Sequence, residues 1–251
     1  MTEELFREDA TLITCEATVV AVDDTGIVLD RTVFYPLGGG QAGDTGVLME
    51  HGGSTAGTSA TARTLPLIDT RKHKERPGDI AHVPDPQADR SWVVPGLRVV
   101  VRVDAERRRA HMRFHTATHL LCALVPHPVD GCSITASYAR LDFHTNEPLD
   151  KEALNAGLAR LVAQASPVHH RWITEAELDA NPGLVRSMSV QPPRGLGRVR
   201  VIDIDGVDLQ PCGGTHVANT AEVGAVIVTK IEKKSAMTRR VVLGWADHHS
   251  A

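Results

Sequence analysis

At 251 residues with 42% hydrophobic content, the chain can build one large globular domain or two modest ones. Its formal net charge of −4 removes overall basicity as a basis for nucleic-acid binding, so any such contact must come from local clusters of Lys and Arg. Cys15, Cys122, Cys132 and Cys212 have no framework spacing, the start Met-Thr-Glu-Glu has no leader pattern, and there is no run of about 18 apolar residues. A soluble cytoplasmic protein without disulfides and without a membrane partner is expected.

The first hundred residues read as β. Residues 15–22, 26–30 and Phe34 form a hairpin-like series around the turn Asp23-Asp24-Thr25-Gly26, and residues 47–50 continue it. Residues 51–64, rich in Gly, Ser, Thr and Ala, predict a flexible loop, followed by a strand over 65–70 and a proline-marked stretch over 77–86. Leu97, Val99, Val101 and Val103 alternate with Arg98, Arg102 and Asp104, the period of a half-buried strand. Many short strands in this length suggest a small barrel.

A helix follows over residues 105–124, which contain neither Gly nor Pro. Asp150 can cap a second helix whose Leu154, Leu158, Leu161, Val162 and Ala165 make one apolar face, with Pro167 closing it. Thr174-Glu-Ala-Glu177 is a capping box for a short helix ended by Asn181-Pro182-Gly183. Residues 199–204 and 207–209 form a hairpin around Asp205-Gly206, and residues 223–232 pair with 240–245. The fold class expected is α+β: a small N-terminal β-barrel-like domain over 1–104, then an α+β metal-containing domain over 105–251.

Two motifs carry chemistry: His115-Thr-Ala-Thr-His119-Leu-Leu and Asp208-Leu-Gln-Pro-Cys212-Gly-Gly-Thr-His216-Val. On a helix, His115 and His119 project from one face one turn apart. Between Cys212 and His216, Gly213-Gly214 argues for a tight turn that bends both side chains toward one centre. Three imidazoles and a thiol suit Zn2+ better than a hard cation. His119 and Cys212 lie 93 positions apart, too far for a zinc finger. Thr116 stands where zinc peptidases place a glutamate base, which argues against that chemistry.

Together the motifs resemble the editing domain of alanyl-tRNA synthetases and their free-standing relatives, the alanyl-tRNA editing proteins of AlaX type. Phe34-Tyr-Pro-Leu-Gly-Gly-Gly-Gln41-Ala-Gly-Asp44-Thr-Gly46, Arg140-Leu-Asp-Phe143, Val199-Arg-Val-Ile202 and Ile231-Glu-Lys-Lys234 with Arg239-Arg240 agree with it in order. The Cys-Gly-Gly-Thr-His-Val run is shared with threonyl-tRNA synthetase editing domains, whereas the Gly-rich segment points to the alanyl branch. That segment lacks the Lys-Ser/Thr of a P-loop and the strand-to-helix setting of a dinucleotide site, so no nucleotide cofactor is expected. The resemblance also implies a barrel preceding the editing domain.

The activity this implies is hydrolysis of the ester joining a wrong amino acid, serine or glycine, to tRNA for alanine, with alanyl-tRNA spared. Length leaves no room for a synthetase active site, so action in trans is expected. His115, His119, Cys212 and His216 would hold Zn2+, and catalysis would run through that metal, which can place a carbonyl or lower the pKa of water toward ~7. Gln41, Asp44, Thr116, Thr118 and Ser137 are the candidate selectivity residues. Where relatives show Gly-Ser before the Arg-Leu-Asp-Phe run, this chain has Gly131-Cys132-Ser133. Arg107, Arg108 and Arg109, with Arg113 one turn on, and Lys230, Lys233, Lys234, Arg239 and Arg240 are the candidate tRNA-binding cations. Two other readings compete: a zinc-stabilised tRNA-binding protein without hydrolytic activity, and a zinc esterase acting on small molecules, against which the basic clusters count.

Overall fold

The computed structural model describes residues 1–52, 63–188, 192, 195 and 197–246. The chain divides into two compact units, Met1–Gly38 with Ala42–Arg108, and Gly39–Gln41 with Arg109–Ala251. The division falls at Arg108/Arg109, where the sequence reading set 104/105, and Gly39–Gln41 group with the second unit.

The first unit holds β1 (Glu3–Glu4), β2 (Thr14–Val22), β3 (Ile27–Leu29), β4 (Arg31–Thr32), β5 (Gly46–Glu50), β6 (Thr64–Lys72), β7 (Ile80–Pro84) and β8 (Arg98–Val103). Six of these close a barrel in the order β2-β3-β7-β6-β5-β8. The alternation read in residues 97–103 is what closes it: Val99, Val101 and Val103 point into a core with Val19, Leu48 and Leu65, while Arg98 and Arg102 face out. Two expectations change here. Phe34 is not in a strand; its amide is held by Thr32 Oγ1 at 3.0 Å and its ring joins the barrel core. The proline-marked stretch contains β7, because Pro84 sits at the strand's last position and Pro77 and Pro86 lie outside it. The expected flexible loop falls largely on 53–62, outside the described residues.

The second unit contains most of α1 (Ala105–Leu124), then β9 (Val129–Ile134), β10 (Tyr138–His144), α2 (Lys151–Ala163), β11 (Val168–Thr174), α3 (Glu175–Ala180), β12 (Arg198–Ile204), β13 (Asp208–Pro211), β14 (Val226–Ser235) and β15 (Thr238–Trp245). They form a four-stranded sheet, β14-β15-β10-β9, and a three-stranded one, β11-β12-β13. Asp150 caps α2 by accepting from the amides of Glu152 and Ala153, and Leu154, Leu158 and Leu161 are buried as the stripe predicts. Ala165 is not part of that face: the helix ends at Ala163, and Ala165 is exposed at φ 53°. The Thr174/Glu177 capping box is present. Strands β9, β10 and β11 were not anticipated; in β11 only partly buried and exposed residues occur, so it lacks a clean apolar alternation. The described residues are mixed α+β and mostly sheet, and no helix among them is long and apolar enough to cross a membrane.

Candidate metal centre

The site begins with α1. Asp104 starts this helix, its carboxylate accepting from the Arg107 amide at 3.1 Å and its carbonyl from Arg108 at 3.0 Å. Without Gly or Pro the helix runs unbroken, so His115 and His119 lie on one face, their ring centroids 5.6 Å apart. The other half comes from the end of β13. There the Cys212 amide donates to Arg200 O at 3.1 Å, and the Arg200 guanidinium returns across the turn to Cys212 O and Gly214 O at 2.9 and 3.1 Å. A side chain at Gly214 would run into the His115 ring, so glycine is required for the turn to approach the helix.

The four side chains converge, with their ligand atoms all within 4.8 Å of one another. Cys212 Sγ lies 3.4 Å from His115 Nε2 and 3.3 Å from His216 Nε2. Each imidazole is fixed from behind through Nδ1, by a different partner. His115 Nδ1 meets Gln41 Oε1 at 2.8 Å, His119 Nδ1 meets Asp208 Oδ2 at 2.9 Å, and His216 Nδ1 meets Thr116 Oγ1 at 3.1 Å. With Nδ1 so engaged, Nε2 is the atom left for a ligand, and this backing is the usual way proteins orient metal-binding histidines. All three histidines are buried and Cys212 half-buried.

The electrostatics suit a cation. Burial alone would raise the Cys212 thiol, but the charges of His115 and His216 and hydrogen bonds from His115 and His119 hold it well below the ordinary thiol range. Burial opposes the charged form of His119, yet its bond to Asp208, with Cys212 adding, raises it to about 9. His216 is pushed well down, first by burial and then by the charge of His115. Three imidazoles and a thiolate form a donor set that could hold a metal ion and that fits zinc.

The selectivity candidates separate. Gln41, fully buried, accepts from Thr215 N at 3.2 Å and donates to Thr215 Oγ1 at 2.9 Å besides contacting His115. Thr116 also accepts from Val217 N at 3.3 Å, while Thr118 bonds back to His115 O at 2.7 Å. Ser137 sits in the exposed turn between β9 and β10, beside Thr135. Asp44 belongs to the first unit, where it is buried against Arg108 and the Tyr35 amide.

The candidate tRNA-binding cations separate as well. Arg108 is 1% exposed and bonds Asp44, Ala10 O and Val33 O, so burial takes it out of any phosphate-facing set. Arg239 is buried and spends its donors on Ser235 O, Ala236 O, Thr238 O and Asn146 O. Arg240 is forked onto Asp142 at 2.7 and 2.8 Å. Arg107 is half-buried and reaches Gly43 O, and Lys230 pairs with Glu232 at 2.6 Å. Arg109, Lys233 and Lys234 are exposed.

Asp208 and Arg200 are the residues the sequence reading missed. Both stand in quoted motifs, but a carboxylate that backs a histidine 89 positions away leaves no local spacing signal. Gly40 and Cys132 are a further pair: Gly40, at φ 84°, has no room for a Cβ because Cys132 fills the space, and its carbonyl accepts from Ile134 N at 2.7 Å. Burial raises the Cys132 thiol to about 12.

Known proteins share sequence with this chain. Residues 199–242, the stretch that includes the Cys212–His216 turn, match the family described as threonyl and alanyl tRNA synthetase second additional domain. That stretch is therefore similar to a domain of threonyl and alanyl tRNA synthetases. It is 33% identical over 254 residues to the alanyl-tRNA editing protein AlaX-M of Methanosarcina barkeri, covering 98% of this chain and 100% of that protein. To the AlaX-M of Saccharolobus solfataricus it is 29% identical, over 96% of this chain and 98% of the relative. The alanine–tRNA ligase of Thermofilum pendens is 34% identical over 96% of this chain, which spans 26% of that ligase. The chain belongs to the alanyl-tRNA editing protein family.

Proposed function

We propose that this protein is a trans-acting cytoplasmic aminoacyl-tRNA deacylase that hydrolyses the ester of seryl-tRNA for alanine while sparing alanyl-tRNA. The carrying observation is the convergence of His115, His119, Cys212 and His216 with every Nδ1 anchored from behind. In this reading the four residues hold Zn2+, residues 105–251 act as the editing domain and residues 1–104 as the barrel domain that precedes it. When bound, zinc supplies Lewis acidity. The chain's own contribution is to orient the ligands. Gln41 fixes His115 and the Thr215 backbone together, Asp208 fixes His119, and Thr116 fixes His216.

Selectivity then rests on polar groups beside this cluster. A site that bonds the serine hydroxyl rejects alanine by stranding its own donors, by about 10⁴ or more, whereas size alone gives roughly 10 to 200-fold. Gln41 has one amide hydrogen without a partner among the described residues, and we assign it to that hydroxyl. Thr116 and Thr118 are the other polar side chains at hand. Asp44 and Ser137 would act only indirectly, given their present partners. Arg107, Arg109, Lys230, Lys233 and Lys234 would meet the tRNA.

One observation favours a second reading: four protein ligands make a closed shell, the form of structural zinc sites, and a tRNA-binding protein without hydrolytic activity would need no more. Incubation with seryl-tRNA and alanyl-tRNA for alanine separates them. The expected result is release of serine more than about 100-fold faster than alanine. No serine release above background would sink the deacylase reading, and equal release of both would sink the selectivity.

The Asp208 carboxylate gives a test that does not depend on activity. Asp208→Asn should weaken Zn2+ binding about 10 to 100-fold in competition with a chromophoric chelator, because His119 loses its anionic backing. Wild-type affinity in this variant would detach Asp208 from the metal site.

A further inference from the structure

Many arginine side chains among the described residues lie against a carboxylate. Arg98, Arg140, Arg171 and Arg240, among others, each lie within 4.0 Å of a carboxylate. Arg109 and Arg113, one turn apart on α1, are different. Neither pairs with an acidic side chain among the described residues. Four residues apart on one helix, the two guanidinium groups lie on the same face and repel each other.

Arg113 is nonetheless held rigidly. Its guanidinium carbon lies 4.2 Å from the Trp245 ring centroid, and its Nε donates to Val223 O at 2.9 Å. Trp245 is itself fixed, by Phe114 at 4.3 Å between centroids and by a bond from its Nε1 to Ala136 O at 3.3 Å. Gly224 lies alongside at φ 63°, where a Cβ would fall 2.7 Å from Arg113 Nη2. Glycine lets the guanidinium lie close against the chain there, which a side chain would prevent. Stacking and the Nε bond restrict the group to one orientation, and its two Nη nitrogens have no hydrogen-bond partner among the described residues, so little entropy is lost when an anion docks.

We propose that Arg113, backed by Trp245 and assisted by Arg109, is a preorganised binding site for a phosphate of the tRNA backbone. The proposal rests on the tRNA reading above and adds a defined contact to it. A guanidinium fork stacked on an aromatic ring matches the planar pair of oxygens a phosphodiester presents, and the second charge lowers the cost of bringing that anion in.

Binding of uncharged tRNA for alanine by the full chain, measured across a salt series, tests it. Arg113→Gln and Arg109→Gln are each expected to weaken binding by about 10-fold, the worth of one charge-assisted hydrogen bond. Each should also reduce the slope of log affinity against log salt by about 0.7 to 0.9. Arg113→Lys should fall between, having the charge without the fork. Arg109 is exposed, so its variant reports on charge even where Arg113→Gln disturbs the fold. Wild-type affinity and slope in both glutamine variants, with the wild-type protein binding tRNA, would overturn this site alone. Failure of the wild-type protein to bind tRNA would overturn the tRNA reading and this site with it.

Discussion

Cys212→Ala is expected to lose Zn2+ on dialysis and to lose serine release in the same step. The thiolate is the only anion among the four candidate ligands, and both His115 Nε2 and His216 Nε2 face its sulfur. Without it, three neutral imidazoles remain around a divalent cation in a buried site. Four-ligand zinc sites carry about 10–16 kcal/mol of binding free energy, so a quarter share corresponds to a loss of about 100 to 1000-fold in affinity. Metal content by elemental analysis and serine release from seryl-tRNA are the two measurements. Cys122→Ala is the control, since burial raises that thiol to about 12 and it is not among the four ligands. A Cys212→Ala protein that kept both metal and activity would move the chemistry elsewhere in the chain.

The second large effect is on stability. Asp44 and Arg108 form a fully buried ion pair in the first unit, at 0% and 1% exposure, and the pair is extended by the Tyr35 amide at 2.6 Å and by Ala10 O and Val33 O. Asp44→Ala leaves a guanidinium charge stranded in the interior. Such breaks cost roughly 3–5 kcal/mol, a large part of the stability of a unit this size. The measurement is chemical denaturation of the full chain, with a lower midpoint expected for the first unit's transition. Replacing both partners together, as in Asp44→Leu with Arg108→Met, should restore much of the loss, because no charge is then left unpaired. The same variants decide the role of Asp44. A selectivity residue would change the ratio of serine to alanine release at nearly constant stability, whereas a structural carboxylate lowers stability.

How legible each part was depended on how far its determinants lie along the chain. The alternation of Val99, Val101 and Val103 marks a half-buried strand because a pleated strand has a period of two, and β8 lies there. Asp150 and the Thr174/Glu177 pair mark helix starts because capping acts within three residues. Strand β11 was not legible, since Val168–Thr174 is held by pairing with β12 and not by a buried face of its own. Ala165 continued the apolar spacing of α2 but lies past its end, in a left-handed conformation that spacing cannot report.

The cations make the same point. Arg107, Arg108 and Arg109 are one run in the sequence, yet one is half-buried, one is in a core ion pair and one is exposed. A charge run does not state which of its members faces water. That depends on which carboxylate the fold brings near, and Asp44 is 64 positions from Arg108.

By itself the sequence determined the ligand types and the local devices that present them: two histidines at helical spacing, and a cysteine and histidine across a glycine turn. Side-chain chemistry and short-range geometry are properties of neighbouring residues, and they survive without the fold. Only the tertiary structure decided that the halves meet, that Gln41, Asp208 and Thr116 stand behind the three imidazoles, and that Arg113 lies stacked on Trp245 without an acidic partner among the described residues. Those relations join residues 74 to 132 positions apart, and they exist because burial of the core closes the chain over distances that no local pattern encodes.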